Sequence, residues 1–297
     1  MEYLANIQRA IDTIEASLRQ PVAIEKIARE AGYSYWHFQR IFVALVGEPV
    51  GSYLRRRRLT AAAEELRTGQ RRILDLALDY QFESHEAFTR AFRSVFHANP
   101  SDVRRRRHFN GGLARHQLTP AKLTHQSRHA AMNPAILDLP ALVLAGPAAR
   151  FISAASPDAN NLKIIPPLWH TLFARKVELG TPLDHFSYGA CRCLPESQRS
   201  REDELLYLAG VSVAPGTPVP PGMERWNVPA GTYALFTHRG PVARISETIN
   251  YAYGTWLPRS EFDPSEPWIE LERYDGRFRE GGTDSEMEYL VPIKRRT

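Results

Sequence analysis

One arginine setting occurs twice in this chain. Ser34-(x)3-Phe38-x-Arg40-x-Phe42 returns fifty positions later as Ser84-(x)3-Phe88-x-Arg90-x-Phe92. In each copy the phenylalanines fall on one side of a helix and the arginine on another, so a rigid apolar face would hold a guanidinium outward. A guanidinium held this way suits phosphate oxygens or the acceptor edge of a guanine. A second grouping alternates along a strand, where Trp268, Glu270, Glu272 and Tyr274 share one face and Ile269 and Leu271 the other. On the residues alone this alternation reads as acids turned to water over buried aliphatics, a solvated strand. His125 and His129 have the i, i+4 spacing of a helical metal pair, with His116 nearby, but no further ligands follow at fixed spacing, so no metal site is expected. The chain carries no phosphate-cradling glycine loop, G-x-S-x-G or H-E-x-x-H, and no cofactor is implied.

The elements that must position these groups come in two textures. Over residues 1–107 the apolar spacing is helical throughout. Ile7, Ile11, Ile14 and Leu18 mark an opening helix, and a short helix ends near Gly32. Ser34 is placed to cap the next helix, whose inner stripe is Phe38, Ile41, Phe42 and Leu45. Gly47 stops it, and a long helix runs from Pro49 to near Gly69. Leu74, Ala77 and Leu78 begin a second copy, Ser84 caps its second helix, and Asn99-Pro100 opens a last one. The offset of fifty extends upstream if Ile24 pairs with Leu74, Ile27 with Ala77 and Ala28 with Leu78. This is a helix-turn-helix written twice. Residues 108–135 lose periodicity and read as a linker. From 136 to 297, proline, glycine and short apolar runs predict strands, with helices at about 161–177 and after Ile245; an α+β domain of two similar halves is expected. The chain is thus multi-domain, with an all-α first part.

Charge follows this division. Residues 1–110 hold 18 Lys/Arg against 13 Asp/Glu, and the remainder 20 against 20, so the entire excess of +5 lies with the repeat. That distribution suits a polyanionic partner for the first part alone. The two cysteines, Cys191 and Cys193, alternate on one strand and cannot bridge comfortably, which implies reduced side chains. With neither a signal sequence nor an apolar run near the roughly 20 residues a bilayer requires, a cytoplasmic protein without membrane contact is expected.

Residues 1–107 resemble the AraC/XylS family of transcription regulators, in its Rob/MarA/SoxS branch. The matching text is Gly32-Tyr-Ser-Tyr-Trp-His-Phe-Gln-Arg-Ile-Phe42, Gly51-Ser-Tyr-Leu-Arg-Arg-Arg-Arg-Leu-Thr60, Ile73-Leu-Asp-Leu-Ala77, Phe82-Glu-Ser84, Thr89-Arg-Ala-Phe92 and Asn99-Pro100 with Arg104. The later part looks like a GyrI-like effector-binding domain through Pro221-Gly-Met223, Val228 to Phe236, His238, Gly240, Trp256-Leu-Pro258, Leu271-Glu-Arg-Tyr274 and Pro292-Ile293. The resemblance implies a monomer on double-stranded DNA, reading two adjacent major-groove segments and activating through RNA polymerase. Carried over, it assigns DNA contacts to Ser34, Trp36, Gln39 and Arg40 in the first copy and to Ser84, His85, Glu86, Thr89 and Arg90 in the second. Arg55 and Arg57 become the foremost phosphate contacts.

His85 and Glu86 depart from the glutamines usual there, and Gln81 replaces a glycine that the family's turn prefers. In the effector domain the resemblance raises Glu272 as the group facing a small apolar or cationic ligand, with Tyr274, Trp256, Trp226, Tyr233 and Trp268 around it. Some GyrI-like proteins hydrolyse strained electrophiles, so a Glu272-dependent hydrolase is the alternative.

Overall fold

The computed structural model describes residues 2–118, 132–153, 156, 158–198, 200 and 203–296. The chain divides into two compact units, Met1–Gln126 and Ser127–Thr297. Among the described residues no helix is long and apolar enough to cross a membrane. His125 and His129 lie outside them.

The first unit is helical: α1 (Glu2–Ala16), α2 (Ile24–Glu30), α3 (Tyr35–Val46), α4 (Val50–Thr68), α5 (Ile73–Asp79), α6 (His85–Phe96) and α7 (Pro100–Arg106). Phe38, Phe42, Phe88 and Phe92 are fully buried, each pair in mutual ring contact. They seat α3 and α6; truncating any one to alanine removes about 3–5 kcal/mol.

The two copies correspond element by element, with one correction to the expected register. From α3 to α6 the offset is fifty, but from α2 to α5 it is forty-nine. The closing turns confirm it: Tyr33 N–H donates to the Ala28 carbonyl, as Phe82 N–H does to that of Ala77. Leu76 and Ala77, not Ala77 and Leu78, are therefore the buried counterparts of Ile27 and Ala28, and Leu78 is 52% exposed. The second turn holds one extra residue. Gly32 has φ +82° and its true counterpart, Gln81, φ +64°, the left-handed geometry that its substitution for glycine makes costly.

Residues 109–118 are not linker. Phe109 packs on Phe96, Arg115 N–H donates to the Thr60 hydroxyl, and Leu118 N–H donates to the Tyr53 hydroxyl.

The second unit is a ten-stranded sheet: β1 (Ala135–Leu139), β2 (Leu142–Gly146), β3 (Ala148–Ile152), β4 (Ser187–Cys193), β5 (Glu204–Ser212), β6 (Glu224–Val228), β7 (Gly231–Arg239), β8 (Phe262–Pro264), β9 (Ile269–Tyr274) and β10 (Glu286–Arg295). The main path runs β1-β7-β10-β9-β4-β5-β2-β6, with β3 on β5 and β8 on β10. This order is symmetric about the central β9/β4 pair. Each half contributes strands, one helix and strands: α8 (Asn161–Arg175) in the first, α9 (Ile245–Tyr251) in the second, and each lends its first strand to the other half. A π-helical turn, Ala252–Trp256, continues α9. The expectation of two similar halves holds. Ile269 and Leu271 join Ala190, Leu208 and Leu290 in the core on one side of the sheet; Glu270 and Glu272 turn to the other.

Candidate functional sites: two reading helices and an acidic cleft

The two candidate reading helices present different chemistry. On α6, His85, Glu86, Arg90 and Arg93 are exposed and Thr89 half-buried, all within one helical stripe. Ser84 caps the helix as expected, its Oγ accepting from Ala87 N–H at 3.1 Å. The backbone N–H of Glu86 and the Ser84 hydroxyl hold the Glu86 carboxyl below its usual range, so a negative charge stands at the helix start beside Arg90. Arg93 was missed, although its spacing of three from Arg90 and four from Thr89 places it on the same stripe.

On α3 the expected outward residues are less available. Trp36 is 4% exposed, with the Arg40 guanidinium over its ring at 4.8 Å from the centroid. It therefore does not offer its face outward, because a large indole gains more from being covered than from standing in water. Gln39 and Arg40 are half-buried, and Gln39 Nε2 donates to the Tyr35 hydroxyl at 2.8 Å. Ser34 makes no side-chain cap; its Oγ lies 3.0 Å from His37 Nδ1. Asn99 likewise leaves its helix uncapped and donates to Asp102 instead.

The arginine run on α4 splits by direction, since four consecutive residues sweep past a full turn. Arg55 is exposed. Arg57 is corrected from a phosphate contact to an internal tie: its side chain is 12% exposed, grips both Glu15 oxygens at 2.7 Å, and donates to the Arg115 carbonyl. Tyr53 donates to the same Glu15, and burial with that carboxylate pushes its hydroxyl pKa well up. Arg58 is occupied too, donating to the Leu18 and Gln20 carbonyls.

In the second unit, α8 and one face of the sheet border an open cleft of about 250 Å³. Trp169, Phe173 and Ile165 of α8 line it, with Ile245 at the start of α9 and Phe278 beyond β9; Glu272 and Tyr274 of β9 and Tyr207 of β5 complete the acidic part. The strand order explains the meeting. Glu272 sits opposite Gly189 on β4, and Gly189 opposite Ala209 on β5. With no side chain at 189, Tyr207 reaches across β4 and donates to Glu272 Oε2 at 2.6 Å; Tyr274 donates to the same oxygen at 2.8 Å. Trp169 Nε1 in turn donates to the Tyr207 hydroxyl at 3.2 Å. Burial, then the nearby Glu272 charge, raises both tyrosine pKa values well above the ordinary range. Both phenols keep their protons and spend them on the carboxylate.

Of the six expected ligand residues, the fold brings Glu272 and Tyr274 to the cleft. The other four do other work. Trp226 is buried in the opposite core with its Nε1 on Glu224 and Arg192 over its ring. Tyr233 is packed in that same core, which pushes its pKa to about 12. Trp256 stacks on Phe262. Trp268 is buried and donates to the Tyr253 hydroxyl at 3.2 Å. Among the described residues no three His, Cys, Asp or Glu side chains could hold a metal.

Comparison with known proteins agrees with both units. Residues 27–106 match a helix-turn-helix domain model and residues 132–294 a GyrI-like small molecule binding domain model. The right origin-binding protein of Escherichia coli (strain K12) is 28% identical over 306 residues, covering 99% of this chain and 100% of that protein. The transcriptional regulator Rob of Salmonella typhimurium is 26% identical over 299 residues, with coverage of 99% and 100%. The regulatory protein SoxS of Escherichia coli (strain K12) is 42% identical over 106 residues, 36% of this chain and 99% of its own length. With its duplicated helix-turn-helix followed by a GyrI-like effector-binding domain, this chain belongs to the AraC/XylS family of DNA-binding transcription regulators.

Proposed function

We propose that this regulator responds to a small lipophilic cation held over Glu272 and, as a single chain, reads an asymmetric DNA site of about two helical turns. The observation that carries the effector reading is the Glu272 carboxylate, supplied with hydrogen bonds by Tyr207 and Tyr274 in a cleft walled largely by apolar and aromatic side chains, with Glu280, His170 and Asn161 also in its lining. The tyrosines donate to the carboxylate and bring no positive charge of their own. Trp169, Phe173 and Phe278 offer ring faces and edges to a cation that has shed its water. An apolar anion would meet the same carboxylate as a repulsion.

On the DNA side, Arg90 suits a guanine O6/N7 pair, Glu86 a cytosine N4 donor, and His85, Thr89 and Arg93 extend that stripe. Arg40 and Gln39 supply the first reading head, and Arg55 a phosphate contact. Activation through RNA polymerase, a cytoplasmic setting and the absence of catalysis complete the reading.

Two measurements test it. Selection of sites from random DNA should yield two unlike half-sites one turn apart, and Arg90→Ala should cost about 1–3 kcal/mol and relax one of them. Equal weakening on all sequences would make Arg90 a phosphate contact. Titration with lipophilic cations should quench Trp169 and saturate at one per chain, with the response lost in Glu272→Gln. Steady turnover of an electrophilic compound that depends on Glu272 would replace the sensor with the hydrolase.

A further inference from the structure

The repeat runs further than the reading helices. α3 and α6 each close on a left-handed residue, Gly47 at φ +80° and His97 at φ +52°, whose N–H donates to the carbonyl of Val43 or Arg93. Three positions on, α4 opens at Val50 and α7 at Pro100, again fifty apart. Burial then keeps step: Val50 and Pro100 are buried, Gly51 and Ser101 exposed, Tyr53 and Val103 buried. The arginine run of α4 therefore has a counterpart, with Arg55 on Arg105 and Arg56 on Arg106. α7 ends at Arg106, so the internal tie made by Arg57 is not copied. Arg105 stands to α6 as Arg55 stands to α3, and both are exposed. One neighbour differs. The residue three before Arg55 is Ser52; three before Arg105 it is Asp102. Asp102 Oδ1 accepts from Arg105 Nη2 at 2.5 Å, and its Oδ2 accepts from Asn99 Nδ2 at 3.2 Å. The Arg105 side chain is nonetheless 70% exposed, and an ion pair in water holds its partners weakly.

We propose that Arg105 is the phosphate contact of the second copy, so that the chain grips the DNA backbone once beside each reading helix, and that Asp102 weakens the second grip. This rests on the reading of Arg55 as a phosphate contact. A guanidinium that neutralises a phosphate releases about one counterion and reads no base. The Asp102 carboxylate competes for the same donors, so part of the Arg105 charge is spent inside the protein. Arg106 points about 100° away along the helix. Its counterpart Arg56 turns to Glu48 at 3.4 Å, and Ala98 occupies the place of Glu48 in the second copy. Arg106 is thus an exposed charge of the same kind, one residue on, aimed elsewhere.

The test is fluorescence anisotropy of the full chain on its selected duplex and on a random duplex of equal length, from about 50 to 300 mM salt. Arg105→Ala should bind both duplexes about three- to tenfold more weakly, with the slope of log affinity against log salt shallower by about 1 and half-site preference unchanged. Arg105→Lys keeps the charge and should keep most of the slope. Arg106→Ala should change the slope less than half as much. Asp102→Asn should bind about threefold more tightly, and that gain should vanish when Arg105→Ala is added. Equal losses in Arg105→Ala and Arg106→Ala would mean that net charge alone matters, and would overturn the inference. A loss confined to the selected duplex would overturn it too, since Arg105 would then read a base. A gain from Asp102→Asn that persists without Arg105 would remove the role given to Asp102. Arg55→Ala separates the two levels. If the slope falls for Arg55→Ala and not for Arg105→Ala, this inference alone fails; if it falls for neither, the placing of Arg55 on a phosphate fails first.

Discussion

Gly189→Ala tests whether the acidic cluster depends on close approach across β4. A Cβ at this position would lie 2.1 Å from the Tyr207 hydroxyl and 2.5 Å from Glu272 Oε2. Non-bonded heavy atoms settle at roughly 3.5 Å, so Tyr207 has to retreat by more than about 1 Å. Retreat breaks its 2.6 Å bond to Glu272 and strains the 3.2 Å bond from Trp169. Losing a hydrogen bond to a charged group costs about 1.5–3 kcal/mol, and overpacking adds about 1–3 kcal/mol. Against this stands a gain of at most about 1 kcal/mol from alanine's smaller unfolded-state entropy. The loss wins, at about 2–4 kcal/mol of stability in the second unit.

Urea unfolding followed by tryptophan fluorescence measures that loss, and titration with a lipophilic cation should show affinity down at least tenfold. Gly51→Ala is the control: no atom lies within 4 Å of its added Cβ, and it sits in α4, where alanine is the better helix former. A Gly189→Ala protein with the normal midpoint and normal affinity would refute the close-approach account of the cluster.

The remaining predictions concern the other ties. Arg57→Ala leaves the Glu15 carboxylate half-partnered and should cost about 3 kcal/mol in urea unfolding, whereas a phosphate contact would instead reduce the salt slope of DNA binding with stability unchanged. Gln81→Gly relieves a left-handed φ of +64°, worth about 1 kcal/mol, but gives up the Gln81 bond to the Arg19 carbonyl; a net gain of up to about 0.5 kcal/mol is expected, and a loss would show that the bond outweighs the strain. His238 is buried between Thr248 and Pro241, and burial lowers its pKa from 6.5. Below pH 6.5 the unfolded chain therefore binds the extra proton first, so stability falls with pH until the folded pKa is passed. Unfolding midpoints from pH 7 to 5 should fall more steeply for the unsubstituted protein than for His238→Gln, by up to about 1.4 kcal/mol per pH unit; equal slopes would contradict this.

Periodicity made the elements legible, and parity put Glu270 and Glu272 on the correct face, because both are local properties. What encloses that face was not. Trp169 and Tyr207 reach Glu272 only through the strand order β9-β4-β5, which no stretch of sequence announces. The apolar positions 162, 165, 169 and 173 of α8 have the spacing of a core stripe, yet they border a cleft. Trp226, Tyr233, Trp256 and Trp268 suited an aromatic ligand cage by type, but large rings fill cores more often than they line sites, and each here has a packing or hydrogen-bonding task. Arg57 misled for a related reason: a run of like charges looks solvated as a whole, while the helix turns each residue to a different neighbour.

The repeat itself holds the sharper lesson, because its two copies are least alike where chemistry would be read. The change from an offset of forty-nine to one of fifty places an extra residue between Phe82 and Ser84. That residue lets Ser84 adopt φ −154° and turn its hydroxyl to the Ala87 N–H, whereas Ser34, at φ −64°, turns to His37. α6 starts with a side-chain cap and Glu86 in its first turn; α3 starts without one and sets Trp36 beneath the Arg40 guanidinium. Selection for the buried phenylalanines keeps both helices seated alike, since a misfit there costs several kcal/mol. It places no such demand on the outer stripe. One duplicated scaffold can therefore hold two probes of different chemistry, and a single inserted residue in the turn is enough to begin the difference.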